Sequence, residues 1–332
     1  MRIGMVGLGR MGANMARRLA RGGIGVVGSD QGAGARAALA GEPRVAVVGS
    51  LAELVRTLPA PRTIWLMLPA GAPSETTLVE LATLLDRGDL VIDGANANYH
   101  DSQRHAQRLA ERGLEFIDVG VSGGIWGLEN GYGLMFGGSA AAVERALPLM
   151  RILAPAPDRG WVHCGVAGTG HFAKMVHNGI EYGLMQAYAE GLALLEARAD
   201  LGLDVAKVAE SWRHGTVIRS WLLDLTAEFL ARDARLETVQ PLVADSGEGR
   251  WTAIEAVELG VPTPVMSLAL MMRFASQGKG NYAGRLLASM RHSFGGHAIF
   301  GAADEASDAA PAPVEGGRGD PVQTPPAPPR NA

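Results

Sequence analysis

The sequence has a single cysteine, no surplus of positive charge and no long uninterrupted apolar stretch. Cys164 has no second cysteine with which to form a disulfide, and we expect it to be a small core residue rather than a nucleophile. The net charge of −4 offers nothing to hold nucleic acid. No apolar run is long enough to cross a bilayer and no signal peptide is recognisable. A cytoplasmic protein without membrane partners is therefore expected, and no set of His, Cys or Asp has the spacing of a metal site.

What the sequence does have is a polar face within an otherwise apolar segment. Lys174, His177, Asn178 and Glu181 are spaced i, i+3, i+4 and i+7, which places them on one face of an α-helix. Burying such groups costs free energy unless they are paired or face a ligand cavity. The pattern therefore predicts either a base and an acid held over a substrate, or a paired core network or a solvated helix face.

The start of the chain contains a dinucleotide-binding motif in its expected setting. Gly7, Gly9 and Gly12 form G-x-G-x-x-G after a short apolar strand and before a helical pattern. The first glycine permits a tight turn, the second lets backbone N–H groups approach a pyrophosphate, and the third brings the helix close. Asp30 ends the next strand, where a carboxylate binds the ribose hydroxyls and repels a 2′-phosphate. NAD is therefore favoured, and NADP stays possible because Arg36 is nearby.

Apolar strands alternate with helical stretches over the first half of the chain. This order predicts an α/β fold that begins with a Rossmann domain at residues 1–165, built on a doubly wound parallel sheet. One long helical pattern then runs without proline from residue 171 to about residue 198. Only helical stretches follow, so an all-α substrate and oligomerisation domain is expected at residues 166–300. Residues 301–332, rich in Pro, Ala and Gly, are predicted to be a disordered tail.

Three loops leave the carboxyl ends of the predicted strands, where ligands bind in sheets of this kind. They comprise residues 68–71, 93–98 and 121–124. Their small residues and glycines suit close backbone approach to a cofactor or sugar, although ordinary turn chemistry selects the same residues.

These motifs together resemble the decarboxylating 6-phosphogluconate dehydrogenases, in the shorter form of that family. The resemblance covers nearly everything before the tail. Its most selective parts are Lys-x-x-His-Asn-x-x-Glu-Tyr at residues 174–182 and the segment 291–297, which begins with Arg291 and ends with His297. Related β-hydroxyacid dehydrogenases, such as those acting on 3-hydroxyisobutyrate, share the Rossmann half and a Lys with an Asn four residues later. In them we do not expect the Glu181-Tyr182 pair or the motif at residues 291–297.

The resemblance implies oxidation and decarboxylation of 6-phosphogluconate to ribulose 5-phosphate and CO₂ in the pentose phosphate pathway, with NAD(P) as hydride acceptor. Lys174 would take the proton of the C3 hydroxyl and return it to the carbonyl oxygen during decarboxylation. Its apolar surroundings and the positive nicotinamide should depress its pKa and so suit it to this role. Glu181, two helical turns further along, would then protonate the resulting enediol at the carbon that becomes C1 of ribulose 5-phosphate.

The resemblance also assigns ligand-binding roles. The implied substrate-binding residues are Asn96, Ser122, Gly123, Gly124, His177, Asn178, Tyr182, Arg291 and His297. The implied cofactor-binding residues are Gly7, Leu8, Gly9, Arg10, Met11, Gly12, Asp30, Leu68, Pro69, Ala70 and Asn96. In the family the terminal segment reaches the site of a neighbouring subunit, which implies a homo-oligomer, a dimer or tetramer, with shared sites.

The sequence departs from the longer members at the phosphate end. Those members hold the phosphate with a Lys and a Thr from the loop before Trp251-Thr252, and here that loop contains Ser246 and Glu248. Glu248 would repel a phosphate if it pointed inward, although Arg250 could compensate. The candidates for a further phosphate-binding cation are Arg219, Arg273 and Lys279.

Two alternatives remain open. A dehydrogenase or reductase for a smaller β-hydroxyacid would release no CO₂ and would leave Glu181 without a proton to deliver. A nucleotide-sensing or scaffold protein that kept the fold is expected to have lost the catalytic pair, and here Lys174 and Glu181 are both present.

Overall fold

The computed structural model describes residues 1–295 and residue 299. Residues 1–278 form one compact unit, and the chain from residue 279 onward belongs to a second. His297 and the predicted tail, residues 301–332, lie outside the described residues. The division of the chain at residues 165 and 300 stays a prediction.

The first unit contains one eight-stranded sheet. Its strands are β1 (Arg2–Val6), β2 (Gly25–Ser29), β3 (Val45–Val48), β4 (Thr63–Leu66), β5 (Leu90–Asp93), β6 (Glu115–Ser122), β7 (Gly133–Gly138) and β8 (Trp161–Gly165). They are arranged in the order β3-β2-β1-β4-β5-β6-β7-β8, with every pair parallel except β6 and β7. The order reverses direction beside β1, so a ligand is expected at the carboxyl ends of β1 and β4.

Helices cover the sheet and then continue alone. Those between the strands are α1 (Arg10–Arg21), α2 (Ala33–Ala37), α3 (Leu51–Thr57), α4 (Ala72–Leu84), α5 (Tyr99–Ala110), α6 (Gly127–Asn130) and α7 (Ala140–Leu153). Those that follow in the first unit are α8 (Thr169–Glu196), α9 (Val205–Trp212), α10 (Trp221–Leu230), α11 (Glu248–Glu258) and α12 (Pro264–Ser276). The second unit contains α13 (Asn281–Gly295).

The sheet is buried on both faces, as parallel sheets are. On β1, Ile3 and Met5 join the core beneath α1 and α7, whereas Val6 joins the core beneath α3 and α4. The predicted fold class is confirmed: a Rossmann-type sheet precedes an all-helical segment with a long helix, α8. No helix in the described part of the chain is both long and apolar enough to cross a membrane.

Two strands were not predicted, and one side chain is placed differently. β7 is rich in glycine, which weakens the β-strand signal. The structure shows why one glycine is there: a methyl group at Gly137 would lie 2.4 Å from the carbonyl oxygen of Val166. β8 is an edge strand, and its Cys164 is exposed, so the expectation of a core cysteine is wrong.

Asp89 connects the amino-terminal ends of two neighbouring strands, β4 and β5. It is buried immediately before β5, and its carboxylate accepts the Arg62 N–H at 2.5 Å and ion-pairs with the Arg62 guanidinium at 3.0 Å. Asp89→Asn should lower the free energy of unfolding by about 1–3 kcal/mol, because the amide is uncharged and keeps only one acceptor oxygen, so either the Arg62 N–H or its guanidinium loses its acceptor. Urea unfolding measures this, and an unchanged midpoint would contradict the anchoring role.

Candidate active site

The predicted polar face of α8 lines a cleft of about 880 Å³. The residues of α8 face the loops after β5 and β6 across this space. The predicted site residues that line it are Met11, Asn96, Ser122, Gly123, Gly124, Lys174, His177, Asn178 and Glu181. Ser220 and Trp221 at the start of α10 also line it, and nothing in their sequence setting had indicated this.

The closeness of α8 to β6 sets the floor of the cleft. A methyl group at Gly120 on β6 would lie 2.3 Å from Cβ of Lys174 and 3.0 Å from the carbonyl oxygen of Gly170. Real Cβ atoms do not tolerate such a distance, so only glycine at position 120 lets the helix lie this near the strand. The backbone of Lys174 therefore starts at the sheet surface.

Lys174 is nearly buried, with 5% of its surface exposed. Its ammonium donates to the amide oxygen of Asn178 at 2.6 Å, and the Nδ1 atom of His177 lies 3.4 Å away. Burial lowers the pKa of Lys174 below its ordinary value, and the negative charges of Glu181 and Glu248 oppose this effect without cancelling it. A lysine whose pKa is lowered gives up its proton more readily than an exposed lysine, which is the property a general base needs.

His177 and Glu181 lie at the more open side of the same face. Oε2 of Glu181 is 3.8 Å from Nδ1 of His177, and both side chains are partly exposed. Nδ1 of His177 also lies 3.1 Å from the Asn178 amide oxygen. A carboxyl group two turns from Lys174 along one helix face can deliver a proton to a different atom of the same ligand.

The loops opposite α8 are held in conformations that suit their sequence. Asn96 has a φ of 50°, and its amide side chain pairs with the backbone of Val121, accepting its N–H at 2.9 Å and donating to its carbonyl at 3.1 Å. Gly123 and Gly124 have φ values of 127° and 53°. Positive φ explains the two glycines, which expose backbone rather than side chains to the cleft.

Tyr182 does not line the cleft and is buried beside it. Its hydroxyl is 3.3 Å from Oγ of Ser246, which donates to Oε2 of Glu248 at 2.6 Å. The guanidinium of Arg273 lies over the Tyr182 ring, 3.4 Å from its centroid. Arg250 instead forms an ion pair with Asp245 at 2.6 Å, so the compensation of Glu248 by Arg250 is not seen.

The glycine motif has the geometry that a bound dinucleotide needs. Gly7 has a φ of 90° and approaches the Met67 carbonyl so closely that a methyl group would lie 2.4 Å from its oxygen. A methyl group at Gly12 would lie 2.0 Å from the Gly7 carbonyl oxygen, whereas one at Gly9 would meet nothing within 4 Å. The protein thus leaves open space at Gly9, and a pyrophosphate at the start of α1 would fit there.

A second cleft, of about 590 Å³, lies along the carboxyl ends of β1, β2 and β4. Its predicted cofactor residues are Gly7, Asp30, Leu68 and Pro69. The Asp30 carboxylate accepts the Leu8 N–H and the Gly32 N–H, each at 2.7 Å. The nearby Arg36 guanidinium donates to the carbonyl oxygens of Asp30 and Gln31, at 2.6 and 3.0 Å.

Other predicted residues are placed elsewhere. Leu8 is buried, while Gly9, Arg10 and Ala70 are exposed and line neither cleft. Arg291 is exposed on α13 in the second unit, and His297 is outside the described residues. Within the described ranges, one group of three potential metal ligands lies close together, and it does not line the 880 Å³ cleft: His100, Glu255 and Glu258.

Comparison with protein-family models gives two adjoining matches. The NAD-binding domain of 6-phosphogluconate dehydrogenase matches residues 2–169. The C-terminal domain of 6-phosphogluconate dehydrogenase matches residues 170–302.

Individual relatives agree with these matches. A putative 6-phosphogluconate dehydrogenase of Bacillus subtilis is 39% identical over 298 residues, covering 90% of this chain and 99% of the relative. An NAD(+)-dependent, decarboxylating 6-phosphogluconate dehydrogenase of Haloferax volcanii is 42% identical, covering 90% of this chain and 98% of the relative. The solved 6-phosphogluconate dehydrogenase of Plasmodium falciparum is 27% identical with a TM-score of 0.77, covering 93% of this chain and 67% of that one.

The contrast between two glycines of the motif gives a prediction. Gly9→Ala should leave the melting temperature nearly unchanged, because the added methyl meets no protein atom, yet should weaken dinucleotide binding at least about tenfold by blocking the backbone approach. Gly12→Ala should instead lower stability by about 1–3 kcal/mol, because the methyl collides with the Gly7 carbonyl. Calorimetric titration with NAD and thermal unfolding separate the two effects. Equal dinucleotide affinity in Gly9→Ala and wild type would contradict the assignment of Gly9.

Proposed function

The chain belongs to the 6-phosphogluconate dehydrogenase family, and on this basis we propose that it catalyses the oxidative decarboxylation of 6-phosphogluconate. The products are ribulose 5-phosphate and CO₂, and NAD(P) is the oxidant. The observation that carries the proposal is that a nearly buried Lys174, whose pKa is lowered, and Glu181 lie on the same helix face and line the same cleft. The reaction needs one base and one separate acid, and this face supplies both.

The proposed proton transfers follow from the positions of these two groups. Bound NAD(P)⁺ supplies the hydride acceptor. Neutral Lys174 takes the proton from the C3 hydroxyl as this carbon is oxidised, which leaves a β-keto acid. The Lys174 ammonium returns this proton to the carbonyl oxygen while the C1–C2 bond breaks and CO₂ leaves. Glu181 then protonates the carbon that has lost CO₂, and Lys174 takes up the enediol hydroxyl proton to give the ketone.

The remaining cleft residues are proposed to hold the sugar acid. Asn96, His177 and Asn178 offer amide and ring nitrogen groups to hydroxyls. The backbone N–H groups around Ser122, Gly123 and Gly124 suit the carboxylate end. Their placement around one cleft with Lys174 supports this assignment.

We propose Arg273 as the phosphate-binding cation of this subunit. Of the three candidates named from the sequence, Arg273 is the one that lies against Tyr182 in the first unit. A guanidinium stacked on an aromatic ring keeps its donors in a fixed plane, which suits phosphate oxygens. Glu248 accepts a hydrogen bond from Ser246 beside Tyr182, so one negative charge also stays near the proposed phosphate position.

We further propose NAD as the preferred cofactor and a homo-oligomer as the active form. The Asp30 carboxylate would oppose a 2′-phosphate, and Arg36, the nearby cation, is bound to two carbonyl oxygens. Arg291 and His297 would complete the phosphate site of a neighbouring subunit, in a dimer or tetramer, as the family resemblance implies. A cytoplasmic location stays an expectation.

The reaction is tested by supplying 6-phosphogluconate with each cofactor and measuring reduced nicotinamide and CO₂. We expect equal amounts of both products. Oxidation without release of CO₂ would instead indicate a dehydrogenase for a simpler β-hydroxyacid.

The role of Lys174 has a separate test. Lys174→Met should lower kcat by about 10³-fold or more with little change in NAD affinity, because the base is removed and the dinucleotide contacts are not. Lys207→Met, at a lysine whose side chain is 86% exposed, is the matched control. Turnover of Lys174→Met within about tenfold of wild type rejects the assignment. Unphosphorylated gluconate tests how strictly the phosphate is required.

The cofactor preference has its own test. Wild type should use NAD better than NADP, and Asp30→Asn should lower the ratio of kcat/KM for NAD to that for NADP by at least about tenfold, because it removes a charge but keeps an acceptor for the Leu8 N–H. Arg36→Met should leave kcat/KM for NADP nearly unchanged if the guanidinium only holds the loop after β2 through the carbonyl oxygens of Asp30 and Gln31. A large loss of NADP activity in Arg36→Met would show instead that this arginine binds the phosphate.

A further inference from the structure

Asp118 is a fully buried carboxylate that the reaction does not use. It lies in the middle of β6, is 0% exposed and does not line the cleft. Its Oδ1 accepts the N–H of Gly168 at 2.6 Å, and its Oδ2 accepts the N–H of His171 at 2.8 Å. Both donors belong to the start of α8, the helix that carries Lys174. Strand and helix are therefore connected by two hydrogen bonds from a single side chain.

The start of α8 has no cap from its own segment. Gly168 occupies the N-cap position with a φ of 96° and has no side chain to accept from the first-turn N–H groups. An uncapped helix start buried against a sheet leaves backbone donors unsatisfied, which is costly. Asp118 supplies the missing acceptor from β6, 50 residues earlier in the chain. Burial raises the pKa of Asp118, and the charge of His171 and the two N–H donors counter that effect.

A second connection fixes the same turn of α8 sideways. The His171 ring is buried, with Nδ1 2.7 Å from Oγ of Ser102 on α5. His171 precedes Lys174 by three residues, so the two side chains lie on one helix face. Gly120 follows Asp118 by two residues on β6 and lies against Lys174, so that there is no room for a methyl group at position 120. A shift of the helix along β6 would therefore move the lysine by the same amount.

We infer that Asp118 is a positioning residue for Lys174: it clamps the first turn of α8 to β6 and so sets where the amine stands in the cleft. This inference rests on the catalytic role proposed for Lys174. A purely stabilising residue would affect the free energy of unfolding, whereas Asp118, which holds the end of α8 nearest Lys174, should also affect the position of the amine. Small displacements of a catalytic group cost rate much more than they cost ligand binding.

The test compares Asp118→Asn with wild type. The amide can accept from only one of the two N–H groups, so the helix start is released on one side. We expect kcat to fall by about 10- to 100-fold while KM and the NAD dissociation constant stay within about threefold, as misplacement of a catalytic group predicts.

The pH profile gives a second readout. The low-pH limb of kcat/KM should move to higher pH in Asp118→Asn, because a more hydrated Lys174 has a higher pKa and becomes protonated at a higher pH. Asp89→Asn, at another buried aspartate that accepts backbone N–H groups, should lose stability without these changes.

An activity-independent readout comes from the lysines themselves. The chain has three, at positions 174, 207 and 279. Reductive methylation followed by mass spectrometry should modify Lys207 readily and Lys174 slowly in wild type, and the ratio of Lys174 to Lys207 modification should rise in Asp118→Asn. Because this ratio does not depend on turnover, it separates failure of the clamp from failure of the proposed reaction.

The outcomes are distinct. Unchanged kcat, pH profile and labelling ratio in folded Asp118→Asn overturn the clamp even if wild type decarboxylates 6-phosphogluconate. An inactive wild type with a raised labelling ratio in the variant retains the clamp and rejects the reaction. If the variant does not fold, hydrogen exchange of wild type decides: slow exchange at the Gly168 and His171 amides supports the clamp, and fast exchange at both overturns it.

Discussion

The site depends on keeping one ammonium group nearly dry without pairing it to a carboxylate. Removal from water favours the neutral amine, and a direct Lys–Glu contact would favour the charged form instead. The ammonium of Lys174 contacts the neutral amide of Asn178 and, at a longer distance, Nδ1 of His177, while Glu181 and Glu248 act only through space. Desolvation is therefore the dominant effect. A lysine whose pKa is lowered in this way suits the two proton transfers proposed for Lys174.

This environment requires the helix to lie unusually near the sheet, and glycines make that possible. Methyl groups at Gly120, Gly137 and Gly170 would each lie within 3 Å of an atom across the interface between β6, β7 and the start of α8. The same principle operates at Gly12, where α1 approaches the Gly7 carbonyl. At both places the helix backbone approaches the strand without a side chain between them. The position of the backbone therefore largely determines where Lys174 and the start of α1 lie.

The parts of the molecule that could be predicted are those with local signals. Val45–Val48 is a continuous apolar run and Leu90–Asp93 is apolar up to its final Asp, and the structure has strands with these bounds. The spacing of Lys174, His177, Asn178 and Glu181 placed them on one face because helical periodicity is local. β7 had no such signal, since its glycines are chosen by contacts with distant segments. Asp118 was missed for the same reason: its partners lie 50 and 53 residues later, and a charged residue within a strand does not by itself indicate what it binds.

The charges around Tyr182 suggest a reason for subunits of this enzyme to associate. In the described part of the first unit, the guanidinium of Arg273 lies over the Tyr182 ring. Ser246, beside the ring, donates a hydrogen bond to the carboxylate of Glu248. Arg250 contributes little net charge there, because Asp245 neutralises it. A phosphate dianion at this end would meet one cation and one nearby anion, which is a weak balance for binding. Added positive charge from a terminal segment of another copy would correct that balance. In the homo-oligomer proposed above, subunit association would then contribute to substrate affinity.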